Sequence, residues 1–301
     1  MEKIPEFLLE KLNKYYGEEY VDKIIDGFTK KRKVTLRVNT IKTNKADVEQ
    51  ELIRNNIEFK NSSFWDDAII ILNKQEEDIK KLEIYETGKI YMQSLSSMIP
   101  PLVLGPKENE DILDMTAAPG GKTTEIAALS NNKAHITACE MNKIRFDRLK
   151  YNLEKQGAKC VYAMQKDSRQ IDDFFSFDKI LLDSPCSGSG TIYINDNNLE
   201  KYFTKILIEK SIKAQKTLIK KAIKILKKGG ELVYSTCSIL KEENEEIIRE
   251  VLKEGKLELV KIEFEKIENI PLLPVTLEKT LCVMPTEEYE GFFVAKLKKV
   301  K

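Results

Sequence analysis

The chain reads as an α/β protein: a doubly wound, mostly parallel sheet preceded by a smaller α/β layer. Three observations carry that expectation. From residue 111 onward, short apolar runs alternate with amphipathic stretches, the order of a parallel sheet with crossover helices. A glycine turn, Thr116-Ala117-Ala118-Pro119-Gly120-Gly121-Lys122, follows the first of these runs. Two later runs end in Asp183-Ser184-Pro185-Cys186-Ser187-Gly188 and Ser235-Thr236-Cys237-Ser238.

The first thirty residues predict two short helices, 5–16 and 18–28, separated by Gly17. Val34, Leu36 and Val38 alternate with polar residues at the period of a half-buried strand. Asn44 is placed to cap a helix running to residue 55, and 57–59, 68–72 and 90–92 read as strands, with a helix at 78–82. A connecting helix at 94–103 is expected to be interrupted by Pro100-Pro101. The main sheet then takes strands 111–115, 136–140, 160–164, 179–183 and 231–235. Helices are predicted at 122–130, 142–156 and 207–227, the last stopped by Gly229-Gly230. A Rossmann-like sheet binds ligands beyond the carboxyl ends of its strands. Thr116 to Lys122, Glu140, Asp167, Asp183, Cys186 and Cys237 all follow strand ends, so they should converge on one crevice.

Composition narrows the class. With 301 residues, 42% hydrophobic and 33% charged, the chain suits a globular protein with a main domain and a smaller one. No apolar run is long enough to span a bilayer and no signal peptide is visible, so the expectation is a cytoplasmic protein that does not engage a membrane. Five cysteines without C-x-x-C spacing and a lone histidine, His135, suggest neither a disulfide framework nor a metal centre. Cys139, Cys160 and Cys282 lack any motif and read as core residues. Net charge is only +1, but ten lysines and one acid lie between Lys201 and Lys228, and Lys30-Lys31-Arg32-Lys33 forms a second basic cluster. Lysines 213, 216, 220, 224 and 227 fall at helical spacing, either a solvated face or a phosphate-contacting stripe.

The glycine turn ends like a phosphate loop, yet Thr116 stands where that motif requires glycine. A shorter turn lets backbone approach a ligand, and the helix start behind it offers amide groups to a carboxylate. Lys122 adds positive charge, while Glu140 suits ribose hydroxyls. A carboxylate and a ribose without phosphates describe S-adenosylmethionine better than NAD. The cysteines then acquire a purpose. Carbon 5 of cytosine is a poor nucleophile until a thiolate adds at carbon 6 and creates an enamine. Charge must be managed at N3, and Asp183 is the available acid. His135 precedes its strand, at the edge away from the crevice, so the base must be Cys186, a water or Asp183. Spacing alone leaves open which cysteine attacks.

The paired cysteine motifs and the glycine turn resemble those of the RsmB/Nop2/Sun family of RNA 5-methylcytosine methyltransferases. Thr35-Leu36-Arg37-Val38-Asn39-Thr40, Tyr91-Met92-Gln93-Ser94-Leu95-Ser96-Ser97 and Glu290-Gly291-Phe292-Phe293-Val294-Ala295-Lys296-Leu297 extend the resemblance over almost the whole chain. The resemblance implies a class I methyltransferase sheet, with residues 1–90 an RNA-binding, RNA-recognition-like region and 91–301 the catalytic domain. It implies Cys237 as nucleophile and Cys186 as the residue that assists adduct breakdown. Cofactor contacts carry over to Thr116, Ala117, Ala118, Pro119, Gly120, Gly121, Lys122, Glu140, Asp167 and Asp183. The resulting expectation is a monomeric, metal-free, S-adenosylmethionine-dependent cytosine-C5 methyltransferase acting on rRNA or tRNA. Its rivals are a DNA cytosine methyltransferase, which has no obvious room for a recognition domain between the cysteine motifs, and a non-catalytic RNA-binding assembly factor.

Overall fold

The computed structural model describes residues 4–196 and 199–301. Strands β1 (Thr35–Val38), β2 (Phe59–Asn61), β3 (Ala68–Ile71) and β4 (Ile90–Met92) form an antiparallel sheet in the order β2-β3-β1-β4. A helix, Lys45–Arg54, connects β1 to β2, and short helices precede β4, giving the split βαββαβ arrangement. Asn44 caps the Lys45–Arg54 helix, its side chain accepting from the Asp47 amide.

The larger sheet contains β5 (Asp111–Asp114), β6 (His135–Cys139), β7 (Val161–Met164), β8 (Phe177–Asp183), β9 (Leu226–Thr236), β10 (Leu257–Val260), β11 (Leu281–Val283) and β12 (Phe292–Lys299). Its order is β10-β12-β9-β8-β5-β6-β7, with β11 paired to β12. β7, β6, β5, β8 and β9 run parallel, as expected, and β12 runs antiparallel between β9 and β10. The chain moves outward from β5 to β7, then returns to β8 on the other side of β5. That reversal opens a crevice beyond the ends of β5 and β8.

Alternation explains how the small sheet is seated. Leu36, Val38, Ile69 and Ile71 face their own helices, whereas Ala68 and Ile70 join the core shared with the helices Leu95–Leu104 and Gly121–Leu129. Arg37, on that second face, is fully buried, donating to Gln93 Oε1 at 2.9 Å and Thr124 Oγ1 at 2.8 Å. The helices Glu6–Tyr16 and Glu18–Thr29 pack on the opposite face of the larger sheet, in the core of β8, β9 and the Lys205–Ile225 helix.

The second strand lies at Phe59–Asn61 rather than 57–59, and two helices differ from their expected course. Pro100 and Pro101 do not interrupt their helix, which runs unbroken from Leu95 to Leu104. The Ser97 carbonyl, which Pro101 leaves without an amide partner, accepts from Gln93 Nε2 at 3.2 Å instead. The Lys205–Ile225 helix ends before Gly229, because Leu226 is already buried and paired with Phe177, and Lys227 is drawn to Asp111 and Asp178.

Candidate active site

β5 ends in Asp114, which is buried and accepts from Thr123 Oγ1 at 2.7 Å and the Thr116 amide at 3.3 Å. Burial pushes its carboxyl up to about 6 despite these donors. The carboxylate thereby staples the start of the glycine turn to the helix that follows. Gly120 sits at φ +110, and a Cβ there would lie 3.1 Å from Leu149 Cδ1, so the turn needs glycine twice over. The helix Gly121–Leu129 starts directly after the turn, where its first amides have no partners within the helix.

At the end of β6, Glu140 is buried, with Oε1 accepting from the Asn142 amide at 2.8 Å and Oε2 3.5 Å from Arg145 Nη1. After β7, Asp167 receives Arg169 through the backbone amide and guanidinium, and hydrogen bonding to Arg169 holds its carboxyl below the usual range. Both acids line a cavity of about 350 Å³, together with Thr116, Ala118, Asp183, Cys186 and Cys237. An adjoining cavity of about 230 Å³ is lined by Ala117, Pro119, Gly121 and Lys122, and by Tyr91 to Ser94 from the small sheet. The two share Thr116, Ala118 and Asp183. A wider groove of about 530 Å³ beside the Glu6–Tyr16 helix contains none of these groups.

The cavity fits the cofactor expected from the sequence. A glycine turn, a helix N-terminus, and acids after two successive strands supply close backbone approach, amide donors and acceptors for ribose and base. Met141 and Arg145, which also line it, were not singled out in the sequence, although Met141 directly follows Glu140 and Arg145 lies in the first turn of the helix capped by Asn142. Lys122, read in the sequence as a positive charge for the cofactor, lines the smaller cavity and has protein partners there as well. Its Nζ lies 2.7 Å from Asp183 Oδ2 and donates to Ser97 Oγ at 2.6 Å. Burial disfavours the charged ammonium, but the Asp183 carboxylate more than offsets this and raises its pKa. Asp183 Oδ1 accepts from Ser235 Oγ at 2.7 Å, and its backbone oxygen accepts from Thr116 Oγ1 at 2.7 Å. Asp183 is therefore fixed from three sides.

The two cysteine loops meet. Cys186 Sγ and Cys237 Sγ are 3.1 Å apart, although 51 positions separate them in sequence. The hydrogen bond with Cys237, followed by burial, pushes the Cys186 thiol well up, and either sulfur can be the donor across the pair. His135 opens β6 at the far edge of the sheet, exposed and 3.4 Å from Asp111 Oδ1. The lysines at helical spacing are mostly engaged by acids: Lys216 and Lys220 with Glu250, Lys224 with Asp173, and Lys227 with Asp111 and Asp178. Among the described residues no group of three or more His, Cys, Asp or Glu is disposed to hold a metal, and no helix is long and apolar enough to cross a membrane.

Comparison with known proteins gives the same frame. Residues 4–76 match the ferredoxin-like domain of RsmF/B-like methyltransferases. The 25S rRNA (cytosine-C(5))-methyltransferase nop2 of Schizosaccharomyces pombe is 33% identical over 98% of this chain and 50% of its own length. A tRNA (cytosine(72)-C(5))-methyltransferase of Pyrococcus horikoshii is 39% identical over 74% of this chain and 56% of its own. The chain thus spans about half the length of these curated relatives. Among solved structures, NSun6 from Pyrococcus horikoshii with SFG aligns with a TM-score of 0.87 at 26% identity, covering 100% of this chain and 99% of that one. Residues 101–298 match the family description 16S rRNA methyltransferase RsmB/F, and with these relatives the match shows that the chain belongs to the RsmB/F methyltransferase family.

Proposed function

We propose that the chain transfers a methyl group from S-adenosylmethionine to C5 of a cytidine in rRNA or tRNA through a covalent cysteine adduct. The observation that carries this reading is the 3.1 Å pair of Cys186 and Cys237 on the wall of the cavity that also holds Glu140 and Asp183. Relatives named for cytosine-C5 methylation of rRNA and tRNA support the substrate class. SFG in the aligned NSun6 structure, an analogue of S-adenosylmethionine, supports the cofactor. Bound in this cavity, S-adenosylmethionine supplies an electrophilic methyl group.

The residues divide the remaining work. Glu140 and Asp167 hold ribose and base, and the turn from Thr116 to Lys122 receives the carboxylate end. Cys237 is the nucleophile and its partner Cys186 the residue of release, the roles that the family resemblance implies. Addition forms the S–C6 bond, moves the C5–C6 electron pair to C5, and requires a proton or strong hydrogen bond at N3. Asp183, oriented by Ser235 and beside Lys122, meets N3 in its protonated form and supplies the proton or hydrogen bond there. Once C5 is methylated its hydrogen leaves as a proton to Cys186, Asp183 or a water, the C5–H electron pair reforms the C5–C6 double bond, and the S–C6 bond breaks with its pair returning to Cys237.

RNA is preferred over duplex DNA because the stretch between the cysteine loops is occupied by core elements, the Lys205–Ile225 helix and β9. We assign RNA recognition to the region of residues 1–90 and catalysis to 91–301. Incubating the purified chain with methyl-labelled S-adenosylmethionine and RNA from cells lacking the gene tests the reading. Label should appear in 5-methylcytidine after digestion to nucleosides. Label in another nucleoside, or transfer only to duplex DNA, overturns it.

A further inference from the structure

The two cysteine loops are joined by a side chain that faces neither cavity. Glu243, buried with no exposure, follows β9 in a short 3-10 turn, Lys241–Glu243. Ser187, directly after Cys186, donates its backbone amide to Glu243 Oε1 at 2.8 Å and its hydroxyl to Oε2 at 2.6 Å. Ser238, directly after Cys237, donates its hydroxyl to the same Oε2 at 2.6 Å. Gln215 Nε2 bridges to Glu243 Oε1 at 3.2 Å and to the Pro185 carbonyl at 3.0 Å. Three further bonds close the seam, from the Gly190 amide to the Cys237 carbonyl at 3.0 Å, from the Ile239 amide to Ser189 Oγ at 3.0 Å, and between the Ser189 and Ser238 hydroxyls at 2.8 Å.

Every donor to this carboxyl is neutral, and burial pushes its pKa up. A carboxyl buried without a cation is a poor source of stability compared with an apolar residue of similar size. What it does provide is a fixed geometry: one rigid, planar group with acceptors at two points, each loop attached through the residue next to its cysteine.

We propose that Glu243 is a positioning residue for both cysteines, tying the loop of Cys186 to the loop of Cys237 and so setting their separation. Its value for catalysis rests on the methyl-transfer reading, since it acts only through those two thiols. Addition at C6 and later release from C6 then use two sulfur atoms held in one place.

The test uses the full chain with diamide, which oxidises two neighbouring thiols to a disulfide while it is reduced to the hydrazine. The rate of Cys186–Cys237 crosslinking, read by mass spectrometry, measures thiol geometry without RNA. Glu243→Ala should slow crosslinking by about tenfold or more and methylation by about a hundredfold, the scale of a misplacement of about 1 Å. S-adenosylmethionine affinity, measured by calorimetry, should stay within about threefold, because Glu243 lies outside the cavity. Glu243→Gln should restore both rates, because its carbonyl accepts from Ser187 and Gln215 while the serine hydroxyls rotate to accept from its amide. If Glu243→Ala does not fold, the Ser187→Ala, Ser238→Ala double variant carries the same expectation.

Crosslinking at the wild-type rate in the alanine variant overturns the proposal, as does a wild-type chain that fails to crosslink or a glutamine variant as slow as alanine. Slow crosslinking in Glu243→Ala, beside a wild type that methylates no cytidine, would leave the positioning role standing and remove the catalytic reading.

Discussion

Glu140 joins a strand end, a helix cap and the proposed cofactor cavity in one side chain: it accepts from the Asn142 amide, while the Asn142 side chain accepts from the amide of Arg145. Removing the carboxylate should therefore weaken cofactor binding without unravelling β6. Glu140→Ala is expected to lose about 1.5 to 3 kcal/mol of S-adenosylmethionine affinity, the usual worth of hydrogen bonds to a charged group. Calorimetry on the folded variant checks this, and unchanged affinity would remove Glu140 from the site. Residues such as Glu140, Asp183 and the cysteines were legible in the sequence because each ends a strand, and strand ends share one edge of a parallel sheet. Lys122 was legible as a cation but not as the partner of Asp183, which lies 61 positions onward on a neighbouring strand. Glu243 gave no signal, because its task is to accept from Ser187 and Ser238, and hydrogen-bond partners drawn from distant loops leave no periodic trace.

At the level of elements, the helix Gly121–Leu129 carries the turn on one end and the small sheet on its flank. Arg37 of β1 reaches Thr124, and Gln93 after β4 donates to Glu125 Oε2 at 2.6 Å. Any shift of the small sheet therefore acts on the helix that begins at the cofactor turn. Glu125 has no exposure, and burial pushes its carboxyl up to about 8, although Arg37 pulls the other way. The folded chain thus holds a proton that the unfolded chain releases near its ordinary value of 4.5. Stability from this group is fully present below that value and is lost as the pH rises through the folded pKa, at about 1.4 kcal/mol per unit over the window. Glu125→Gln should flatten the profile, so urea midpoints at about pH 5 and about pH 8 should lie closer together than in the wild type. An unchanged spread would assign the slope to other groups. The alternation that seats this sheet was visible in Val34, Leu36 and Val38, whereas the unbroken helix through Pro100 and Pro101 was not. Its continuity depends on Gln93, a side chain outside the helix, taking the carbonyl that proline leaves open.

Across the whole molecule, charge is organised mostly by internal pairing. The lysine stripe that suggested a phosphate-binding face is largely committed to Glu250, Asp173, Asp111 and Asp178, which favours the solvated, structural reading of that helix. The proposed chemistry belongs instead to the sheet reversal, where β5, β6, β8 and β9 deliver Thr116, Glu140, Asp183, Cys186 and Cys237 to one cavity. The central claim is that Cys237 attacks and Cys186 releases, so the two should fail in opposite ways when removed. The most direct measurement is a denaturing gel of the chain and its cysteine variants with labelled substrate RNA. Cys237→Ala should form no protein–RNA band and no 5-methylcytidine, whereas Cys186→Ala should methylate once and remain covalently attached because elimination is slowed. A band with Cys237→Ala and none with Cys186→Ala would reverse the roles, and no adduct from the wild type on RNA containing 5-fluorocytidine would contradict the covalent mechanism.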